Sequence, residues 1–206
     1  MLHQISNTPI LREIADKEML TSLFMRDYSL MNGQMGCAIF FALLSRATQN
    51  HWYEDFASEL LDNICDNLTI SLPVDFGFGL CGIGWGIEFL KYKGFIHDDT
   101  DEILSDIDKA VMERDIRRIT DASLETGLKG LLAYVRSRLM SERGTSYGPF
   151  DDIYLFEVDK AASKLCISNK STEITQVWGD CLQIFNLSHN NSWKKGISII
   201  CGHERY

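Results

Sequence analysis

Proline is scarce in this chain, with only Pro9, Pro73 and Pro149 among 206 residues. Proline breaks helix interiors, so its absence from long stretches leaves room for many uninterrupted helices. Strand-like patterning is missing too: no run alternates apolar and polar residues convincingly at the period of two that a half-buried strand needs. No apolar run approaches the ~20 residues that span a bilayer. The N-terminus has no basic start followed by an apolar stretch, so neither a membrane span nor a secretory signal is expected. Positive charge is in deficit, with 20 Lys+Arg against 29 Asp+Glu and a net charge of −9. That balance argues against nucleic acid or anionic membrane as a partner, since both need clustered cations. The six cysteines (37, 65, 81, 166, 181 and 201) include no CxxC pair and read as reduced thiols of a cytoplasmic protein. Walker loop, nucleophile elbow and HExxH are likewise absent.

Helical periodicity is what the sequence does contain. Phe56, Leu60, Leu61, Ile64 and Leu68 share one helical face, as do Ile103, Leu104, Ile107, Ala110 and Val111, behind a capping pair of Asp99 and Glu102. Tyr154, Leu155, Val158, Ala161, Ala162 and Leu165 repeat the spacing, and Thr8-Pro9 fits an N-cap with proline at the first helical position. Between these amphipathic segments lie 36–47, 80–90 and 128–139, apolar on nearly every side, as helices buried on both flanks are.

A repeat accounts for the alternation. Gly33-x-x-Gly36 recurs as Gly79-x-x-Gly82 and Gly127-x-x-Gly130, at steps of 46 and 48 residues. The first and third copies both read S-L-x-x-G-x-x-G, from Ser29 and Ser123, while the second places Asp75 at that serine position. The first glycine of each pair is expected to supply positive φ in the turn before an inner helix. The second is expected to admit a close neighbour on the same helical face. The expected fold is all-α: about four helical hairpins of ~47 residues forming an α/α toroid or an arc of one, in a single domain over 1–206. The repeats fall near 29–75, 76–122 and 123–170, with a divergent part at 171–206.

These motifs, with the following G-I-G-W-G-I-E-F-L, resemble the repeats of lanthionine synthetase C-like proteins, the cyclases of ribosomally made peptides. The likeness runs from about Ser29 to about Arg138. The resemblance implies an α/α toroid and a role in peptide modification. It also implies acid/base chemistry for Asp75, because an Asp stands at the same interval before one repeat's glycines in that family, beside a zinc ion. The family's zinc site, a lone Cys in a W-C-x-G setting and a later Cys-His-Gly, has altered counterparts here in Trp178, Cys181, Cys201 and His203. Zinc held there would activate a peptide thiol as thiolate. The expected protein is an accessory one that binds or positions a peptide without a complete zinc site, so no metal ligand is assigned. Its partners would be a peptide or a modifying enzyme, and a second copy if the arc closes by self-association.

Each candidate has a structural alternative. A carboxylate before a helix, as at Asp75, can simply accept backbone N–H bonds. His51 and His97 are each expected to open an outer helix as solvated turn residues; His3 and His189 have no evident partners. The acid run Asp98, Asp99, Asp101, Glu102, Asp106 and Asp108 reads as the wet face of an outer helix, and Trp85 as core. Two other functions stay open. A six-hairpin glycosidase-like protein would need two carboxylates facing across a cleft, where Asp75 has only Glu125 as a second. A rearranged zinc cyclase would use Cys181, Cys201 and His203.

Overall fold

The computed structural model describes residues 9–142, 148–187 and 192–203. Among these the chain forms nine α-helices, three short 3-10 turns and no strand, so it is all-α as the periodicity predicts. The helices are α1 (Pro9–Thr21), α2 (Gln34–Thr48), α3 (His51–Asn67), α4 (Leu80–Tyr92), α5 (Asp101–Met112), α6 (Leu128–Met140), α7 (Asp152–Lys164), α8 (Ile174–Leu187) and α9 (Ser192–His203). None is long and apolar enough to cross a membrane. The chain divides into two compact units, Met1–Leu68 with Gly179–Tyr206, and Thr69–Trp178.

Inner and outer helices alternate as the apolar pattern requires. Thirteen of fifteen residues are buried in α2, eleven of thirteen in α4 and nine of thirteen in α6. The outer helices bury one stripe only: four of seventeen in α3, four of twelve in α5 and four of thirteen in α7. Some boundaries differ from expectation. Helix α5 opens at Asp101 behind Thr100, and Asp99 instead accepts the Asp101 N–H at 3.0 Å. His97 lies in the loop before α5 rather than on it, whereas His51 does open α3. Pro9 is the first residue of α1; Thr8, His3 and His189 lie outside the described residues.

In the first unit α2 packs against α3 and α9, and α1 against α9. Phe40 and Phe41 lie 5.0 Å apart by ring centroid, and Phe41 meets Phe56 of α3 edge-on at 4.7 Å. In the second unit α4 and α6 lie side by side, with α5 on α4 and α7 on α6. An aromatic series runs through its core, from Phe76 to Trp85 (5.3 Å), Phe89 (5.1 Å) and Trp178 (4.5 Å). Trp85 is fully buried, as expected; Trp52, by contrast, is largely exposed.

The repeat glycines are needed for a reason other than the one expected. Gly33, Gly79 and Gly127 each cap an inner helix, but with φ of −113°, −143° and −101°, all extended backbone open to any residue. What excludes a side chain is space. A Cβ on each would overlap the carbonyl oxygen six residues upstream: Asp27, Pro73 and Asp121 respectively. Those same carbonyls accept the first helical N–H, from Gln34, Leu80 and Leu128, at 2.8 Å in every case. The loop thus folds back tightly over the helix start, and glycine lets it close. Two of the second glycines do admit close neighbours: Gly36 faces the Leu30 carbonyl and the Trp193 ring, and Gly130 the Leu124 carbonyl and Phe76.

Candidate functional site

The turns before α4 and α6, both in the second unit, hold the residues to which sequence spacing drew attention. Asp75 is half-buried, and its Oδ1 accepts the Phe78 N–H at 2.9 Å. Ser123 makes the equivalent contact more loosely, its Oγ receiving the Thr126 N–H at 3.4 Å. Ser29, the third counterpart, leaves its buried Oγ without a partner. Asp75 is thus placed as a turn-capping carboxylate with its second oxygen uncommitted to that bond. The two turns are joined where the Gly77 N–H donates to the Glu125 carbonyl at 2.7 Å. A Cβ on Gly77 would stand 3.3 Å from the Glu125 Cβ, so only a small residue fits that junction.

Another pair of acids, not singled out by the sequence reading, organises the first and third turns. Asp27 Oδ1 accepts the Ser29 N–H at 2.9 Å, and Asp121 Oδ1 accepts the Ser123 N–H at 2.8 Å. Asp121 Oδ2 also receives the Ser123 and Thr126 hydroxyls at 2.7 and 2.8 Å. These bonds, the Ser123 hydroxyl first, hold the Asp121 carboxyl below the usual carboxylate range. The signal was available: both copies read D-x-S-L-x-x-G-x-x-G once two more upstream residues are included. In the middle copy Pro73 takes the place of that acid, and Asp75 supplies a carboxylate two residues later.

The acid run of α5 does not behave as a uniform wet face. Asp108 is 4% exposed, on the stripe it shares with Leu104, Ile107 and Val111. It pairs with Arg138 of α6, which is 1% exposed and donates through Nε and Nη2, the shortest bond being 2.8 Å. Arg138 also reaches Glu88 of α4 and Asp101 of α5, both at 2.9 Å. Tyr134 donates to Asp108 at 2.6 Å, and Thr100 to Glu88 at 3.0 Å. Burial, and then the Asp108 charge, push the Tyr134 hydroxyl well above its ordinary pKa, so it stays a donor. Charges inside two apolar helices, Glu88 and Arg138, were the sequence signal for this cluster. Of the other five acids of the run, four are exposed and Asp101 turns inward.

The thiols differ by environment. Cys81 and Cys37 are fully buried; burial pushes both up, with nearby Glu18 adding to the rise at Cys37. Both are therefore poor nucleophiles. Cys65 is half-buried, and Cys166 is exposed. Cys181 and Cys201 are buried in α8 and α9. Among the described residues no three His, Cys, Asp or Glu side chains gather closely enough to hold a metal. The imidazole of His203 lies outside those residues.

The profile for Lanthionine synthetase C-like protein matches residues 25–192. The chain belongs to the lanthionine synthetase C-like family. The match begins just before the first repeat turn and runs beyond α8, further than the motif likeness ending near Arg138. The all-helical build, with apolar inner helices opened by paired glycines, agrees with this family. No curated protein and no solved structure matches the chain.

Proposed function

We propose that this lanthionine synthetase C-like protein binds and positions a peptide during ribosomal-peptide modification, as an accessory member without a complete zinc cyclase site. The observation that carries the reading is the family match across most of the chain. A further observation supports the accessory role: Asp75 has one oxygen engaged in capping its own turn. Nothing in the site favours the glycosidase reading, which needs a second carboxylate set across a cleft from Asp75. A cytoplasmic setting and a partner, either a modifying enzyme or a second copy, belong to the same proposal.

Two measurements test it together. Metal analysis of protein purified without chelator should give zinc well below one per chain, and a labelled peptide containing dehydrated residues and a cysteine should bind without thioether formation. Stoichiometric zinc, lost in Cys201→Ala, would replace the reading with a rearranged cyclase. Failure to bind any peptide would remove it altogether.

A further inference from the structure

A groove of about 380 Å³ lies in the second unit between the 3-10 turn Ile116–Arg118 and α7. Its floor is apolar: Ile116 and Ala161 are buried and Ile119 is half-buried. Its rim carries Arg117, Lys160 and Lys164, all exposed, with Glu157 half-buried among them. Asp115 beside it binds Arg117 at 2.8 Å and Arg118 at 3.2 Å. These six ionisable groups comprise four cations and two carboxylates, so this patch is positive on a chain whose net charge is −9. Among the described residues neither Lys160 nor Lys164 forms an ion pair. Further along α7, Phe156 is 66% and Ile153 79% exposed.

Spacing narrows what fits. Phe156, Lys160 and Lys164 are four residues apart on one helical face. At 1.5 Å per residue the two lysines stand about 6 Å apart along the axis. In an extended peptide, residues i and i+2 are separated by about 6.7 Å and point the same way. Two carboxylates at that interval match the two lysines, and a neighbouring large apolar side chain meets Phe156 or the isoleucine floor. A nucleic acid needs a longer cationic track than this groove offers. An acidic peptide approaching elsewhere on so negative a chain is repelled, which makes the patch selective.

We infer that this groove is a docking site for an acidic, apolar-flanked peptide segment of the Glu-x-Glu type. The inference rests on the peptide-handling reading and names the class of peptide. The test uses three labelled synthetic peptides and fluorescence anisotropy on the full chain. One carries Glu-x-Glu beside two leucines, one has lysines for the glutamates, and one has serines for the leucines. The first should bind at least about tenfold more tightly than either of the others, and more weakly as salt rises. Lys160→Glu with Lys164→Glu should weaken it by about tenfold or more and improve binding of the lysine peptide. Both lysines are exposed, so the double variant should keep its helical circular dichroism. Equal binding of all three peptides, or an unchanged double variant, overturns the groove while leaving peptide binding intact. No binding of any peptide overturns the proposed function with it. A self-association lost in the double variant, with no peptide competition, assigns the groove to a second copy and overturns the inference.

Discussion

The two units hold their inner helices with different polar chemistry. In the first, α2 begins with buried Gln34, whose amide donates to the Ser22 and Met25 carbonyls, both at 2.9 Å, and accepts from Asn63 at 2.8 Å. This neutral link staples the loop and the outer helix α3 to the start of α2. In the second unit the corresponding link is ionic: Arg138 joins α6 to α4 and α5 through three carboxylates. Neutral amides are cheap to bury when satisfied, whereas charges are costly unless fully paired. Damage to the Arg138 link should therefore cost more than damage to the Gln34 link.

Removing the arginine is the strongest way to break that comparison. Arg138→Ala strands Glu88 and Asp108 in the interior with no cation. It should destabilise the chain by about 3–5 kcal/mol, the range for halving a buried ion pair. Arg138→Lys should recover only part, since one ammonium cannot reproduce bonds fanning to Glu88, Asp101 and Asp108. Urea unfolding at neutral pH measures both; an alanine variant within 1 kcal/mol of the parent by that measure would show that the network contributes little.

Gln34→Leu is the matching test in the first unit. It leaves two loop carbonyls and the Asn63 amide to find water, at about 1–3 kcal/mol in total. A loss as large as that of Arg138→Ala would erase the distinction between the units.

The sequence made the helical scaffold legible because its signal is redundant. Three amphipathic segments carry the 3.6-residue period many times over and three others are apolar nearly all round, so inner and outer helices separated cleanly. The glycine pairs were legible as markers, but their reason was not. A close loop carbonyl and a positive φ both demand glycine, and only coordinates distinguish Asp27, Pro73 and Asp121 as the intruding groups. Asp108 was misplaced because it stands among true surface acids. Its partner Arg138 lies 30 residues downstream, and a pairing at that distance leaves no local trace. At the candidate site, the turn-capping role of Asp75 was legible as one of two readings, since any carboxylate before a helix start can accept an N–H. The Asp121 turn was missed because the shared motif was read from its serine rather than from the acid two residues earlier.

The glycine turns are where the units should agree. Gly33→Ala in the first unit and Gly127→Ala in the second both push a methyl into a loop carbonyl. Each should cost about 1–3 kcal/mol through displacement of that loop. Gly179 lies within α8 with nothing near its missing Cβ. Gly179→Ala should instead stabilise by about 0.5–1 kcal/mol, the ordinary helix preference for alanine. Thermal unfolding of the three variants checks both signs. Stabilisation by Gly33→Ala or Gly127→Ala would mean that glycine is not required by the close carbonyl.

The smallest expected difference lies in the acids of those turns. Asp27 makes one side-chain bond within its turn, whereas Asp121 makes three, so the third turn should lean on its carboxylate more than the first. With its pKa held below the unfolded value, Asp121 contributes stability above about pH 4, where both folded and unfolded forms are ionised. That contribution fades as pH falls through the folded pKa. Asp121→Asn keeps an acceptor but removes the charge, so the stability gap between parent and variant should be constant near neutrality and close on acidification. Urea midpoints from pH 7 down to pH 3 read the gap directly. A gap that widens as the solution becomes more acidic would mean that the Ser123 and Thr126 bonds favour the protonated carboxyl, reversing the role assigned to this turn.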